Sequence, residues 1–244
     1  MTDADRFNLY TLIHKGLRAC MSETLVSVGR LDPNDTTEIA AAVGQVRGLI
    51  EFAREHVEHE EQWIHPALEA RRPGSSAETR EDHARHLESL ASLESSARAL
   101  ERSEGSDRAR TALRLYRQLA LFVAENFEHM HVEETENHAT LAACYSEQEV
   151  IELHDRLVAA VKPASMMTAL RWLVPASSAP ERAAMLNGMQ QGAPAAAFAA
   201  VLERARSHLS ARDWAKLGAA IGPMPVSSAA SAVKVDRFAV ALPA

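Results

Sequence analysis

The sequence predicts an all-α protein, with an up-down-up-down four-helix bundle followed by a small helical C-terminal domain. Of the 244 residues, 47% are hydrophobic and only 5% are aromatic, a composition that favours helix over sheet. Apolar side chains recur at steps of three and four residues, the spacing of one helix face. Three short polar segments divide the first part of the chain into four long stretches, which is typical of an antiparallel bundle.

The four helices of the bundle have recognisable starts and ends. Asp35 or Thr36 can cap the second helix. A slight bend is expected at Pro66, which removes one backbone donor. The predicted helices span residues 5–29, 37–69, 78–102 and 108–142.

The C-terminal part begins with a fifth helix, which ends near residue 161 and opens with a capping box of Ser146 and Glu149. We place the domain boundary near residue 162, between a bundle domain (1–162) and a small helical domain (163–244). The tail from Pro223 is expected to be poorly ordered. Short helices are predicted over residues 166–173, 180–189, 195–209 and 211–218.

The charge and the apolar pattern argue against several classes of protein. A formal net charge of −7 is not that of a nucleic-acid-binding or anionic-membrane-binding protein. No apolar run approaches the ~18 residues that a membrane helix needs, and the acidic start does not resemble a signal peptide. Cys20 and Cys144 are too few for a disulfide framework. We therefore expect a cytoplasmic protein that binds neither nucleic acid nor membrane.

An internal repeat contains most of the unusual residues. Ten of the eleven histidines precede residue 155, and several stand beside glutamates. The pattern H-x-x-x-E-E-x-x-x-H occurs at His56 with Glu60 and again, 73 residues later, at His129 with Glu133. Because the two copies lie on the second and fourth helices of the predicted bundle, chance is a poor explanation for them.

Helix geometry separates the positions of the repeat. Each residue advances about 100° around the axis, so the first histidine and first glutamate of each copy lie about 40° apart on one face. The last histidines, His65 and His138, follow the first by nine residues, which places them on roughly the opposite face. We therefore predict that His65 and His138 are surface residues rather than ligands.

The first and third helices supply further histidines. His14 lies on the same apolar face as Leu17 and Cys20. A lone histidine there is usually a core residue, but beside two H-x-x-x-E motifs we interpret it as a ligand. His83 and His86 share the inward 3-4 seam of the third helix.

Together these residues predict a metal site with two ions. Two bare carboxylates would be costly in a dry bundle core unless a cation compensates them. Carboxylate with imidazole favours iron or manganese, whereas zinc normally closes its site with four ligands, fewer than are present. The alternative is that these residues form solvated faces of long helices. The candidate metal ligands are His14, His56, Glu60, His83, His86, His129 and Glu133.

Over residues 5–145 this pattern resembles the hemerythrin-like family, also described as the HHE cation-binding domain. The resemblance implies two iron ions with an oxo or hydroxo bridge, five histidines and two bridging carboxylates, with manganese or zinc less fitting. It also implies an open position on one iron for O2, peroxide or NO.

The chain departs from the oxygen-carrying members of that family at two places. Those members usually have H-x-x-x-H on the third helix, where this chain has His83-x-x-His86. They also place a carboxylate five residues after the last histidine, where this chain has a four-residue step to Glu133. Glu125, four residues before His129, is either a further inward carboxylate or a glutamate at the bundle rim.

The resemblance leaves three functions open. The first is a di-iron protein that binds or senses O2, peroxide or NO. The second is a di-iron oxidase or peroxidase acting on a small organic substrate, although no flavin or ferredoxin motif is present. The third is an iron-responsive regulatory module with a protein partner at the C-terminal region.

Overall fold

A computed structural model describes residues 6–222 of the chain. This part of the chain is helical and contains no β-strand, which confirms the predicted all-α class. The tail predicted to be poorly ordered lies outside the described residues. The helices are α1 (Thr11–Arg30), α2 (Thr36–His59), α3 (His65–Arg71), α4 (Ala77–Arg102), α5 (Asp107–Val132), α6 (His138–Cys144), α7 (Glu147–Ala160), α8 (Pro163–Ala176), α9 (Ala179–Gly192), α10 (Ala195–His208) and α11 (Ala211–Ile221).

The first helix begins later than predicted, at Thr11 instead of residue 5. The reason is local, because the side chain of Asn8 accepts a hydrogen bond from the Tyr10 amide at 3.0 Å. The amide of Thr11 also points back to the Asn8 carbonyl at 3.4 Å. Such a side-chain turn competes with helix at the asparagine and delays the start of α1.

The chain divides into two compact units. Among the described residues, one unit comprises Leu17–Cys144, and the other comprises residues 6–16 together with 145–222. In this division α7 belongs to the same unit as the C-terminal helices. The domain boundary near residue 162 stays a prediction.

The unit of Leu17–Cys144 is built from long helices joined by short turns. Its helix α4 packs against both α2 and α5, and fully buried leucines such as Leu49, Leu90 and Leu115 form its core. Asp35 caps α2 as predicted, accepting hydrogen bonds from the amides of Thr37 at 2.7 Å and Glu38 at 3.2 Å. The short turns between the long helices reverse the direction of the chain.

A π-helical turn interrupts each of the two predicted repeat helices. The first spans Glu60–Ile64 between α2 and α3, and the second spans Glu133–Asn137 between α5 and α6. The amide that follows each turn, that of His65 or His138, bonds the carbonyl five residues earlier. Each turn therefore holds one more residue than an α-helical turn would.

This extra residue overturns the predicted surface positions of two histidines. His65 is 0% exposed and His138 is 9% exposed, so both are buried. Because the π-helical turn absorbs one residue, nine residues act as eight, and the offset from the first histidine falls from roughly 180° to about 80°. Pro66 does not account for both π-helical turns, because the second copy of the repeat has Ala139 at the same position.

The second unit has its own apolar core. The predicted capping box opens α7, with Ser146 and Glu149 each bonding the other's backbone amide. Helices α8 to α11 enclose a cluster of buried side chains that includes Leu170, Leu186 and Val201. None of the helices described between residues 6 and 222 is by itself long and apolar enough to cross a membrane. Helices α7 and α8, bent by 117° at their junction, meet that criterion only when counted together.

Candidate metal centre

Two buried glutamates form the middle of the candidate site. Glu60 and Glu133 each open a π-helical turn, and their side chains are 2% and 0% exposed. Each lies one helical turn after a histidine of its own repeat. Nε2 of His56 is 3.4 Å from Oε1 of Glu60, and Nε2 of His129 is 3.2 Å from Oε2 of Glu133. The inward faces predicted for both pairs are therefore confirmed.

Helix α4 brings a third histidine to these carboxylates. Nε2 of His83 lies 3.3 Å from Oε2 of Glu60 and 3.7 Å from Oε1 of Glu133. It is also 3.1 Å from Nε2 of His129. One ligand atom from each of these four residues lies within 4.8 Å of the others, and all four residues are buried.

The same two glutamates belong to a second group of candidate ligands. In this group, ligand atoms of His56, Glu60 and Glu133 lie within 4.8 Å of one another. The histidines of the two groups differ, but the carboxylates are common to both. Since a carboxylate has two oxygens, each glutamate can contribute to both groups.

Both the spacing and the chemistry of these atoms fit metal ions. At a metal–ligand distance of about 2.1 Å, tetrahedral ligand atoms lie roughly 3.4 Å apart. The distances of 3.2, 3.3 and 3.7 Å from Glu60 and Glu133 to the nearby histidines scatter around that value. Buried carboxylates without a cation are costly, so the donor set favours a bound cation.

The electrostatics of His83 follow from these neighbours. Burial alone would lower its pKa, but the hydrogen bond and charge of Glu60, together with Glu133 and Glu61, raise the pKa of His83 to about 9. Burial likewise opposes the charged form of His129, and Glu133 outweighs it, so the pKa of His129 is raised. The neighbouring carboxylates thus outweigh burial and favour the positively charged form of both imidazoles.

Two further carboxylates, which the sequence did not single out, hold the outer nitrogens of these rings. Nδ1 of His83 is 2.9 Å from Oε1 of Glu61, and Nδ1 of His129 is 3.1 Å from Oδ2 of Asp82. Histidine ligands of metals commonly donate their second N–H to a carboxylate in this way. Residue types and spacing could not identify these pairs, because each joins two different helices.

The remaining candidates have different surroundings. His86 is buried, and burial followed by the charges of His129 and His83 lowers the pKa of His86 to about 3. Its Nδ1 is buried and has no hydrogen-bond partner within residues 6–222, although it belongs to neither group of clustered ligand atoms. Glu125 is exposed, so it is not a further inward carboxylate.

His14 lies on α1 in the unit that also contains the C-terminal helices, and it is fully buried. Its ring stands 5.4 Å from that of Tyr10, centroid to centroid. The assignments of His14 and His86 as ligands stay predictions.

Comparison with known proteins supports a cation site. The model of the hemerythrin HHE cation-binding domain matches residues 7–141, which include the candidate ligands. No curated protein and no solved structure matches the chain significantly.

Proposed function

The chain belongs to the family of the hemerythrin HHE cation-binding domain, and on that premise we propose that it is a di-iron protein that binds or senses O2, peroxide or NO. The observation that carries the proposal is the pair of ligand groups that share Glu60 and Glu133. Two carboxylates common to two groups of histidines suit two neighbouring ions, each compensating the buried negative charge.

The histidines divide between the two proposed ions. His83 and His129 would serve one ion, and His56 would serve the other, with both glutamates between them. We also propose His14 as a metal ligand, and His86 as a further ligand of the ion at His129. The ring of His86 stands 4.8 Å from that of His129, centroid to centroid.

The donor set favours iron. Imidazole with carboxylate suits iron, whereas structural zinc sites usually contain four ligands rich in thiolate or imidazole. When bound, iron at an open coordination position supplies the redox chemistry that O2, peroxide and NO require.

The chain's own residues keep the site dry and oriented. Leu90 is fully buried on α4, one helical turn after His86. Phe122 on α5 stands edge-on to His86, with ring centroids 6.1 Å apart. The exclusion of water by such side chains strengthens the electrostatic interactions inside the site.

The experiment is a metal count with a visible spectrum. Protein purified from iron-supplemented cells is expected to contain near two irons per chain, with absorption bands that bleach on reduction and return in air. Quick, reversible return would support binding or sensing, whereas sustained consumption of peroxide would favour the enzyme. One metal or none, with helicity intact, would contradict the di-iron proposal.

Matched variants test the residues. Glu60→Gln and Glu133→Gln are expected to lose most of the iron, because each removes a charge common to both ions. Glu58→Gln, which changes an exposed glutamate of α2 two residues before Glu60, is expected to retain the iron. Metal should also stabilise the fold, by about 2.7 kcal/mol when the free ion is at 100 times its dissociation constant. Thermal unfolding before and after chelation measures that difference.

A cytoplasmic location and a protein partner at the C-terminal region stay predictions from the sequence.

A further inference from the structure

Glu61 joins two histidines that belong to different helices. Its Oε1 lies 2.9 Å from Nδ1 of His83 and 3.2 Å from Nδ1 of His65. The two imidazole rings stack, with centroids 4.8 Å apart and planes inclined by 14°. His65 lies beside His83 because the π-helical turn rotates it from the predicted surface position into the bundle interior.

We assign the hydrogen on each ring from these contacts. An ionised carboxylate only accepts hydrogen bonds, so Nδ1 must be the donor on both rings. For a neutral ring, Nε2 is then free of hydrogen. Nε2 of His83 faces Glu60 and Glu133, where the proposed ion would bind. Nε2 of His65 faces the hydroxyl of Thr79 at 3.3 Å.

We propose that His65 is a positioning residue of the metal centre: together with Glu61, it holds His83 in the tautomer and orientation that present Nε2 to the ion. This inference rests on the proposed metal function. His65 touches no proposed ion itself. It donates to Glu61, restricts the rotation of that partly exposed carboxylate, and stacks on the ring of His83. Outer partners of this kind typically change metal affinity by about 10–100-fold.

The corresponding residues of the second repeat have other contacts. Glu134 stands where Glu61 stands in the repeat, but its carboxylate bonds Arg18 at 2.5 and 3.0 Å. The outer nitrogen of His129 instead contacts Asp82, which also pairs with Arg85. Loss of His65 should therefore weaken the ion at His83 through its outer nitrogen and leave the partner of His129 intact.

The test uses Zn²⁺ as a diamagnetic probe in the full chain. Zinc loss to a chromophoric chelator is followed over time, and the Nδ1–H signal of His83 is recorded by ¹⁵N–¹H NMR. In His65→Leu, one phase of zinc loss is expected to accelerate by about tenfold or more, and the His83 signal is expected to broaden or vanish. His65→Asn keeps an N–H near the place of Nδ1, so it should restore much of both readouts.

Two further variants keep the test decisive. His138→Leu removes the buried histidine at the same position of the other repeat and should leave the His83 signal unchanged. Glu61→Ala changes a side chain that is 35% exposed, so the fold should tolerate it. It should reproduce the faster loss even if His65→Leu does not fold.

The outcomes separate the two proposals. If the wild-type protein binds neither zinc nor iron, the proposed function fails, and this inference fails with it. If the wild type binds zinc but Glu61→Ala or a folded His65→Leu loses it at the wild-type rate, with the His83 signal unchanged, only the positioning role of His65 is wrong.

Discussion

Glu61 and Glu134 occupy the same position in the two repeats, yet their carboxylates bind different partners. Glu61 accepts from the imidazoles of His83 and His65, whereas Glu134 forms two hydrogen bonds with the guanidinium of Arg18. A repeat in the sequence thus does not produce the same contacts for these two glutamates, because Glu61 reaches His83 on α4 and Glu134 reaches Arg18 on α1.

Asp82 is expected to support His129 as Glu61 supports His83. In Asp82→Asn, the outer nitrogen of His129 loses its ionised acceptor, so iron affinity should fall by about 10–100-fold with helicity unchanged. Competition with a chelator measures the affinity. Asp107→Asn is the matched control, because Asp107 also pairs with an arginine three residues on but is an exposed residue at the start of α5. Equal iron affinity in both variants would contradict a role for Asp82.

The π-helical turn at Glu60–Ile64 is expected to hold the residues beyond it in phase with the core. Insertion of one alanine after the exposed Gln62 adds a further residue and should rotate the following residues by about 100°. His65 and Leu68 would then leave their buried positions, at a cost of about 2–5 kcal/mol in the free energy of unfolding. Deletion of Gln62 is the matched control, because eight residues of regular α-helix give the same phase as nine residues with the π-helical turn. Urea unfolding compares the two variants, and an insertion as stable as the deletion would refute the prediction.

Arg182 is expected to stabilise the unit that contains the C-terminal helices. It is buried, and its guanidinium donates to the carbonyls of Val174 at 2.7 Å and Ser177 at 2.9 Å, at the end of α8. Arg182→Met should leave both carbonyls without this donor and lower the free energy of unfolding by about 3 kcal/mol. Tryptophan fluorescence during urea unfolding measures the change. The exposed Arg212→Met is the control, and a similar small effect in both variants would show that the contacts contribute little.

Glu69 is expected to make stability depend on acid pH. The amide of Gly74, then the hydroxyl and amide of Ser76, lower the pKa of Glu69 from 4.5 to about 2. Because this pKa is depressed on folding, the stabilisation is complete above about pH 4.5 and is lost as pH falls toward 2. Glu69→Gln should therefore be less stable than wild type near neutral pH, and the gap should close near pH 2. A gap that is constant in urea unfolding across this range would exclude the mechanism.

The helical periodicity of the sequence was sufficient to predict the two histidine–glutamate pairs inside the bundle. His56 with Glu60 and His129 with Glu133 are four residues apart on regular helix, so a fixed angle per residue predicts their common face correctly. The same arithmetic was wrong for His65, because it assumed that the helix stays regular past Glu60.

The sequence by itself determined the helical class, the bundle of four long helices and the inward histidine and glutamate pairs, because these depend on composition and on contacts within one helical turn. The tertiary structure decided the rest. Whether Glu61 contacts His83, and whether Asp82 contacts His129, depends on how separate helices pack, which no spacing along the chain encodes. The π-helical turns also became visible only in the structure, since one additional residue per turn leaves no mark in the pattern of residue types.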